Sequence, residues 1–154
     1  MKQKIWIFII ENELGVKELE SLYKDCLLFV QQWESHAAPV NASVELYKNR
    51  LLIFRNDEEF NPIGGCATDN LFRFIQELEK KYSTHLLNRR LVVYEKEGNI
   101  QVKNLSDVTQ LIQSGEIDDN TIIYNTSIIS SDEWQQFRLP AKDSWLKMFF
   151  ESFV

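Results

Sequence analysis

The chain has 154 residues, 44% of them hydrophobic, 12% aromatic and 26% charged, with 5 Gly and 3 Pro, a composition that excludes a disordered or fibrous chain and suits one sizeable hydrophobic core. Lys and Arg total 17 against 23 Asp and Glu, a net charge of -6, which opposes attraction to nucleic-acid phosphates, so no nucleic-acid partner is expected. The longest apolar run, Ile5 to Ile10, falls far short of the ~20 residues that cross a bilayer, so no membrane insertion is expected either.

The same run is too short for a signal peptide, and Glu11 and Glu13 interrupt it. The two cysteines, Cys26 and Cys66, are expected as free thiols, because a chain of this size needs no disulfide to hold its core. Together these features read as a cytoplasmic protein, in which the Asn-x-Ser patterns at Asn41, Asn104 and Asn125 are chance.

In chain order, Ile5, Ile7 and Ile9 alternate with Trp6, Phe8 and Ile10, which predicts a central strand that is apolar on both faces. From Val16, apolar residues recur at threes and fours (Leu19, Leu22, Tyr23, Cys26, Leu27, Val30, Trp33), predicting an amphipathic helix that ends before Pro39. Ala42 to Tyr47 alternates as a half-buried strand, and Lys48-Asn49 turns it into Leu51-Leu52-Ile53-Phe54, a hairpin. Past the acidic, turn-rich stretch Asn56 to Pro62 comes Gly64-Gly65-Cys66, then a helix expected to be capped by Thr68 or Asp69, with the stripe Leu71, Phe74, Ile75, Leu78 and Tyr82. Arg90 to Tyr94 is a strand, and Gly98-Asn99 turns it into Ile100 to Val102.

The order strand, helix, strand, strand, helix, strand is the split βαβ pattern of a ferredoxin-like α+β sandwich. In that topology the first and third strands are central, and these are the two read as apolar on both faces. Helices would cover only one face, so the other needs a cover. The remainder offers a helix at Leu105 to Gln113 capped at Asn104 or Ser106, a strand at Thr121 to Tyr124, and an aromatic tail (Trp134, Phe137, Trp145, Met148, Phe149, Phe153). The expectation is therefore one domain over 1–154: a βαββαβ core at 1–103, and a C-terminal α/β extension at 104–154 that covers the sheet or forms a homodimer contact.

Chemistry-bearing residues are few. Gly64-Gly65-Cys66-Ala67-Thr68-Asp69 enters a helix, where backbone N–H groups can hold an anion or stabilise a thiolate. Trp33-Glu34-Ser35-His36 places one of only 2 histidines at the end of the first helix. If His36 reaches Cys66, a thiol nucleophile with an imidazole base results, with Asp69 or Ser35 orienting the ring; Asp69 also sets a negative charge at the same helix start. The bland alternative is a tight loop holding a buried cysteine, and Cys26, on a core stripe, is read as structural. No Gly-Lys dipeptide exists, so no phosphate-binding loop is present. Cys26, Cys66, His36 and His85 are too scattered for zinc, and Asp57-Glu58-Glu59 and Asp118-Asp119 lack calcium-loop spacing. No metal or cofactor is expected.

Trp33-Glu34-Ser35-His36, Gly65-Cys66-Ala67-Thr68-Asp69 and Leu87-Asn88-Arg89 together resemble a family of small uncharacterised bacterial proteins of similar length that often carry the genome label "ABC transporter ATPase". The resemblance runs over most of the chain. Ala37 stands where that family's pattern has glycine after the histidine, and without a phosphate-binding loop the label's ATPase activity is not carried over. The resemblance implies a shared site at His36, Cys66, Asp69 and Arg89. The leading functional expectation is a noncatalytic binding or protein-interaction domain with a protein or small-molecule partner. The alternatives are a small thiol-dependent enzyme using Cys66 with His36, and a phosphate or carboxylate site near Thr68 aided by Arg89.

Overall fold

A computed structural model describes residues 2–151. It is a mixed α and β structure of antiparallel sheets, in two compact units: the residues up to Asn88 with Ile129–Asp132, and Arg89–Ile128 with the residues from Glu133 on. The break lies between Asn88 and Arg89 rather than at the 103/104 division expected from the sequence.

In the first unit, β1 (Gln3–Ile9) leads to α1 (Val16–Gln32), a short hairpin of β2 (Glu34–Ser35) and β3 (Ala38–Pro39), β4 (Ala42–Tyr47), β5 (Leu51–Asp57) and α2 (Gly65–Tyr82). The main sheet has the order β1-β5-β4. β1 runs antiparallel to β5 over seven residue pairs, from Gln3 opposite Asp57 to Ile9 opposite Leu51. Alternation splits the side chains of both strands between two faces. Trp6, Phe8, Ile10, Leu52 and Phe54 join Leu22, Cys26 and Val30 of α1 and Leu71, Ile75 and Leu78 of α2 in one core, so both helices lie on one face. Ile5, Ile7, Ile9, Leu51 and Ile53, on the other face, are buried as well.

The strand expected to complete a four-stranded ferredoxin-like sheet does not join it. Leu91–Lys96 is the strand β6 of a second sheet, and the free edge of β1 instead meets residues 129–131: the Ile5 amide donates to the Ile129 carbonyl (2.9 Å) and Lys4 bridges Ser130. Of the two strands expected at the centre, β5 is flanked by strands on both sides, whereas β1 ends the sheet. The physical reason is pairing capacity. β6 is buried from Leu91 to Tyr94 and takes β7 (Asn99–Asn104) as a hairpin partner on one side and β8 (Ile122–Tyr124) on the other.

The second unit carries the sheet order β7-β6-β8-β9, with β9 at Arg138–Pro140. Its core is Val92, Tyr94, Val108, Ile117, Ile123, Ala141 and Leu146, against which Phe149 and Phe150 pack. Hence the aromatic tail contributes to a core within its own unit. The helix expected at Leu105 to Gln113 is a 3-10 turn, Leu105–Asp107, running into α3 (Val108–Gln113), with no side-chain cap bond from Asn104. A last short helix, α4, spans Lys147–Glu151, and Phe153 lies outside the described residues.

Two polar contacts fix the first unit's frame. Arg50, buried, donates through Nε to the Ile10 carbonyl (3.0 Å) and through Nη2 to that of Glu11 (2.8 Å), so carbonyls at the end of β1 satisfy its guanidinium. Asp25 of α1 accepts from Lys81 Nζ (2.8 Å) and the Tyr82 hydroxyl (2.7 Å) of α2. Burial pushes the Asp25 carboxyl up, but the bonds from Lys81 and Tyr82 outweigh it and hold it below the usual aspartate value. A depressed carboxylate stabilises the fold fully above its unfolded pKa and loses that contribution as pH falls through the folded one. Asp25→Asn is therefore expected to lower stability at neutral pH, with its denaturant midpoint converging on that of the parent chain in acid.

Candidate functional site

The two segments singled out in the sequence do meet. A cleft of about 460 Å³ is lined by Glu34, Ser35, His36 and Ala37 from the β2–β3 hairpin and by Gly64, Gly65, Cys66, Ala67 and Asn70 from the start of α2. His36 and Cys66 share this cleft.

Its construction begins at the end of α1. Trp33 closes the helix with extended backbone, buries its ring edge-on against Trp6 at 5.6 Å, and donates its indole N–H to the Ala67 carbonyl (3.0 Å) in the first turn of α2. The chain then reverses in a two-residue turn. His36 and Ala37 both take left-handed backbone, at φ 56° and 60°, between the paired Ser35 and Ala38. Such a turn matches the twist of a hairpin and favours glycine or asparagine. Alanine tolerates left-handed backbone only at a cost, so Ala37 carries strain here.

Ser35, expected to orient the His36 ring, instead joins Asn61, to which no role was assigned, in lashing the hairpin to the segment before α2. The Ser35 hydroxyl donates to the Pro62 carbonyl (2.8 Å) and accepts from the Gly64 amide (2.9 Å). The Asn61 amide donates to the carbonyls of Ser35 (2.9 Å), Pro39 (3.1 Å) and Ala38 (3.2 Å). Behind it, the Asn56 amide meets the Glu58 carboxylate and the Asn61 carbonyl, and Glu58 also accepts from the Ile63 amide. Asn61-Pro62 within a turn-rich stretch was the available signal. The stretch reads as a loop, but nothing local says which carbonyls its amide will reach.

α2 starts at Gly65, with Gly64 as its N-cap, three residues or more before the caps expected at Thr68 or Asp69. Ser35, brought from a distant segment, occupies the Gly64 amide, while no side-chain cap serves the first-turn amides. The Gly64 backbone is extended, so its lack of a side chain matters for space: a Cβ there would sit 3.1 Å from His36 Cε1 and 3.3 Å from Nε2. The His36 ring thus rests directly on the helix start. The amides of Gly65, Cys66 and Ala67, in the first turn, have no helical carbonyl to bond, whereas the Thr68 amide already bonds the Gly64 carbonyl. This edge of the cleft carries positive partial charge, with the His36 imidazole beside it and exposed Glu34 on the opposite lip.

The other expected residues are placed differently. The Thr68 hydroxyl donates to the Gly64 carbonyl (3.0 Å), a bond internal to the helix. Asp69 is exposed and does not line the cleft. Arg89 belongs to the second unit, where it donates to the Thr126 carbonyl (3.5 Å). Among the described residues no hydrogen bond orients the His36 ring, so an imidazole held by a carboxylate is not assembled. Compared with known proteins, the chain matches no family model, no curated protein and no solved structure.

The two thiols differ in kind. Cys66 is exposed; Cys26 is buried, and burial pushes its thiol up to about 12. A thiol reagent at neutral pH is expected to modify Cys66 alone in the folded chain and both cysteines in denaturant, checked by mass spectrometry. Asn61→Ala removes the amide whose two protons three carbonyls share, and a loss of about 0.5–1.5 kcal/mol in unfolding free energy is expected by denaturant titration.

Proposed function

We propose that this chain is a noncatalytic binding domain that takes a small carboxylate- or phosphate-bearing ligand in the cleft between the β2–β3 hairpin and the start of α2. The observation that carries this reading is the juxtaposition of the His36 ring with a helix start whose first amides lack helical partners, inside one cleft. Backbone N–H groups converging with a positive helix end suit an anionic oxygen, and the His36 imidazole adds a ring N–H donor. Ser35 and Asn61 support the reading by spending their hydrogen bonds on holding the hairpin against α2, which leaves the recognition surface preorganised.

In this reading, the resemblance to the uncharacterised bacterial family bears on His36 and Cys66, which share the cleft, more than on Asp69 and Arg89. The test uses inorganic phosphate and acetate as probes in NMR titration. Saturable shifts at the amides of Gly65, Cys66 and Ala67 are expected, weakened several-fold by His36→Ala. Unmoved α2 amides, with the hairpin intact, would sink the proposal.

A second reading has its own observation. The exposed Cys66 thiol stands in the first turn of α2, in a cleft that His36 also lines, which brings a nucleophile and a candidate base to one cleft. Thiol-dependent catalysis then predicts an alkylation rate at Cys66 that exceeds that of an unstructured thiol peptide at the same pH and falls when His36 is replaced by Ala. A rate no faster than the peptide's, indifferent to His36, counts against it.

A further inference from the structure

A second surface, on the far side of the same unit's sheet from β1, has features of a peptide site. β4 ends the β1-β5-β4 sheet. Its backbone groups divide by register. The Asp57 amide donates to the Asn41 carbonyl (2.9 Å), and the ladder continues from there through Ser43 opposite Arg55, Glu45 opposite Ile53 and Tyr47 opposite Leu51. In an antiparallel ladder, bonded and nonbonded pairs alternate. Ser43, Glu45 and Tyr47 therefore bond β5, while Ala42, Val44 and Leu46 direct their N–H and C=O groups to the outer edge. The Tyr23 hydroxyl, reaching across from α1, donates to the Val44 carbonyl at 3.4 Å, which agrees with that direction. No strand lies beyond β4 among the described residues.

Beside this row of backbone groups runs an apolar groove of about 460 Å³. Val16, Leu19 and Tyr23 of α1 form one wall, and Val44 and Leu46 of β4 the other. Val16, at the mouth, is 74% exposed. Two carboxylates, Glu20 and Glu45, line it and no lysine or arginine does. Glu45 is held by Arg55 of β5 at 3.0 Å, whereas Glu20 has no ion-pair partner among the described residues.

We propose that this groove binds an extended, basic segment of a partner protein, which adds a strand to β4 and sets alternate apolar side chains between β4 and α1. Each part of the site answers one property of such a segment. The outer amides and carbonyls of Val44 and Leu46 take its backbone; the groove takes every second side chain, because strand side chains alternate between faces. Glu20 takes a lysine or arginine. Charge also selects against a second copy of this chain. Two β4 strands paired about a twofold axis would bring Glu20 and Glu45 of both copies to one seam, in a molecule already at -6. This site is separate from the cleft at His36, and neither reading depends on the other.

The probe is a fluorescein-labelled peptide, Lys-Thr-Val-Thr-Val-Thr-Lys, whose lysines share a face with its valines, titrated against the full chain by fluorescence anisotropy, with hydrogen exchange read residue by residue. Saturable binding is expected, with slowed exchange at the Val44 and Leu46 amides. A counterpart with glutamate for lysine binds more weakly, and one with N-methylated valines, which cannot complete the ladder, does not bind. Glu20→Lys, on the exposed face of α1, is expected to weaken the lysine peptide about five-fold and to favour the glutamate peptide. Absence of saturable binding, or binding indifferent to both N-methylation and Glu20→Lys, overturns the proposal. So does protection of the β4 amides that rises with protein concentration alone, accompanied by dimer formation in sedimentation velocity, since a second copy would then be the occupant.

Discussion

The antiparallel ladder between β1 and β5 is the constraint on which the first unit rests. Seven consecutive residue pairs place Trp6 opposite Phe54 and Phe8 opposite Leu52 on one face, and those rings make the floor on which α1 and α2 pack. Phe8 meets Phe54 and Phe72 edge-on at 5.8 and 5.7 Å, while Phe29 of α1 stacks on Phe74 of α2 at 4.4 Å. A slip of one residue would turn every one of these side chains to the other face. Because that face is also apolar, burial alone would not forbid the slip. Arg50 helps to fix the register, since its guanidinium must find the Ile10 and Glu11 carbonyls at the end of β1.

Once the two helices are seated, the cleft follows from where they end. The last turn of α1 and the first turn of α2 come together at Trp33 and Ala67, and the short hairpin between α1 and β4 fills the corner. Its turn holds two residues in left-handed backbone, a local strain that persists because Asn61 and Ser35 bind the hairpin on both sides. The outcome is a histidine ring laid on a helix start that lacks a side-chain cap. Polar side chains that elsewhere would cap the helix here position its neighbours, and the open amides face the cleft.

The same sheet leaves β4 at an edge, and an edge strand beside an apolar groove is a liability unless it is used. α1 crosses near it with Tyr23 reaching the Val44 carbonyl and Val16 standing clear at the mouth. Cleft and groove sit at different ends of α1, one after its last turn and the other along its first turns, so one helix frames two surfaces of different chemistry: positive partial charge at the first, apolar lining with uncompensated Glu20 at the second.

Periodicity in the sequence determined the elements themselves. The alternation from Ile5 to Ile10, the spacing from Val16 to Trp33 and the stripe from Leu71 to Tyr82 each set one element, because burial of a stripe or a face is a local property of spacing. That His36 and Cys66 could share one cleft was legible as a candidate from residue types at two helix ends. What only the tertiary structure decided was partnership. The Leu91–Lys96 segment is equally apolar whichever sheet it enters, and its hairpin with Asn99–Asn104 and its pairing with Ile122–Tyr124 settled the choice through backbone bonds that carry no residue code. α2 starts ahead of the caps expected at Thr68 or Asp69 for a related reason. The helix begins without a side-chain cap, its N-cap Gly64 held by the Ser35 hydroxyl from 29 residues away, and hydrogen bonds over such separations depend on the path of the chain between them.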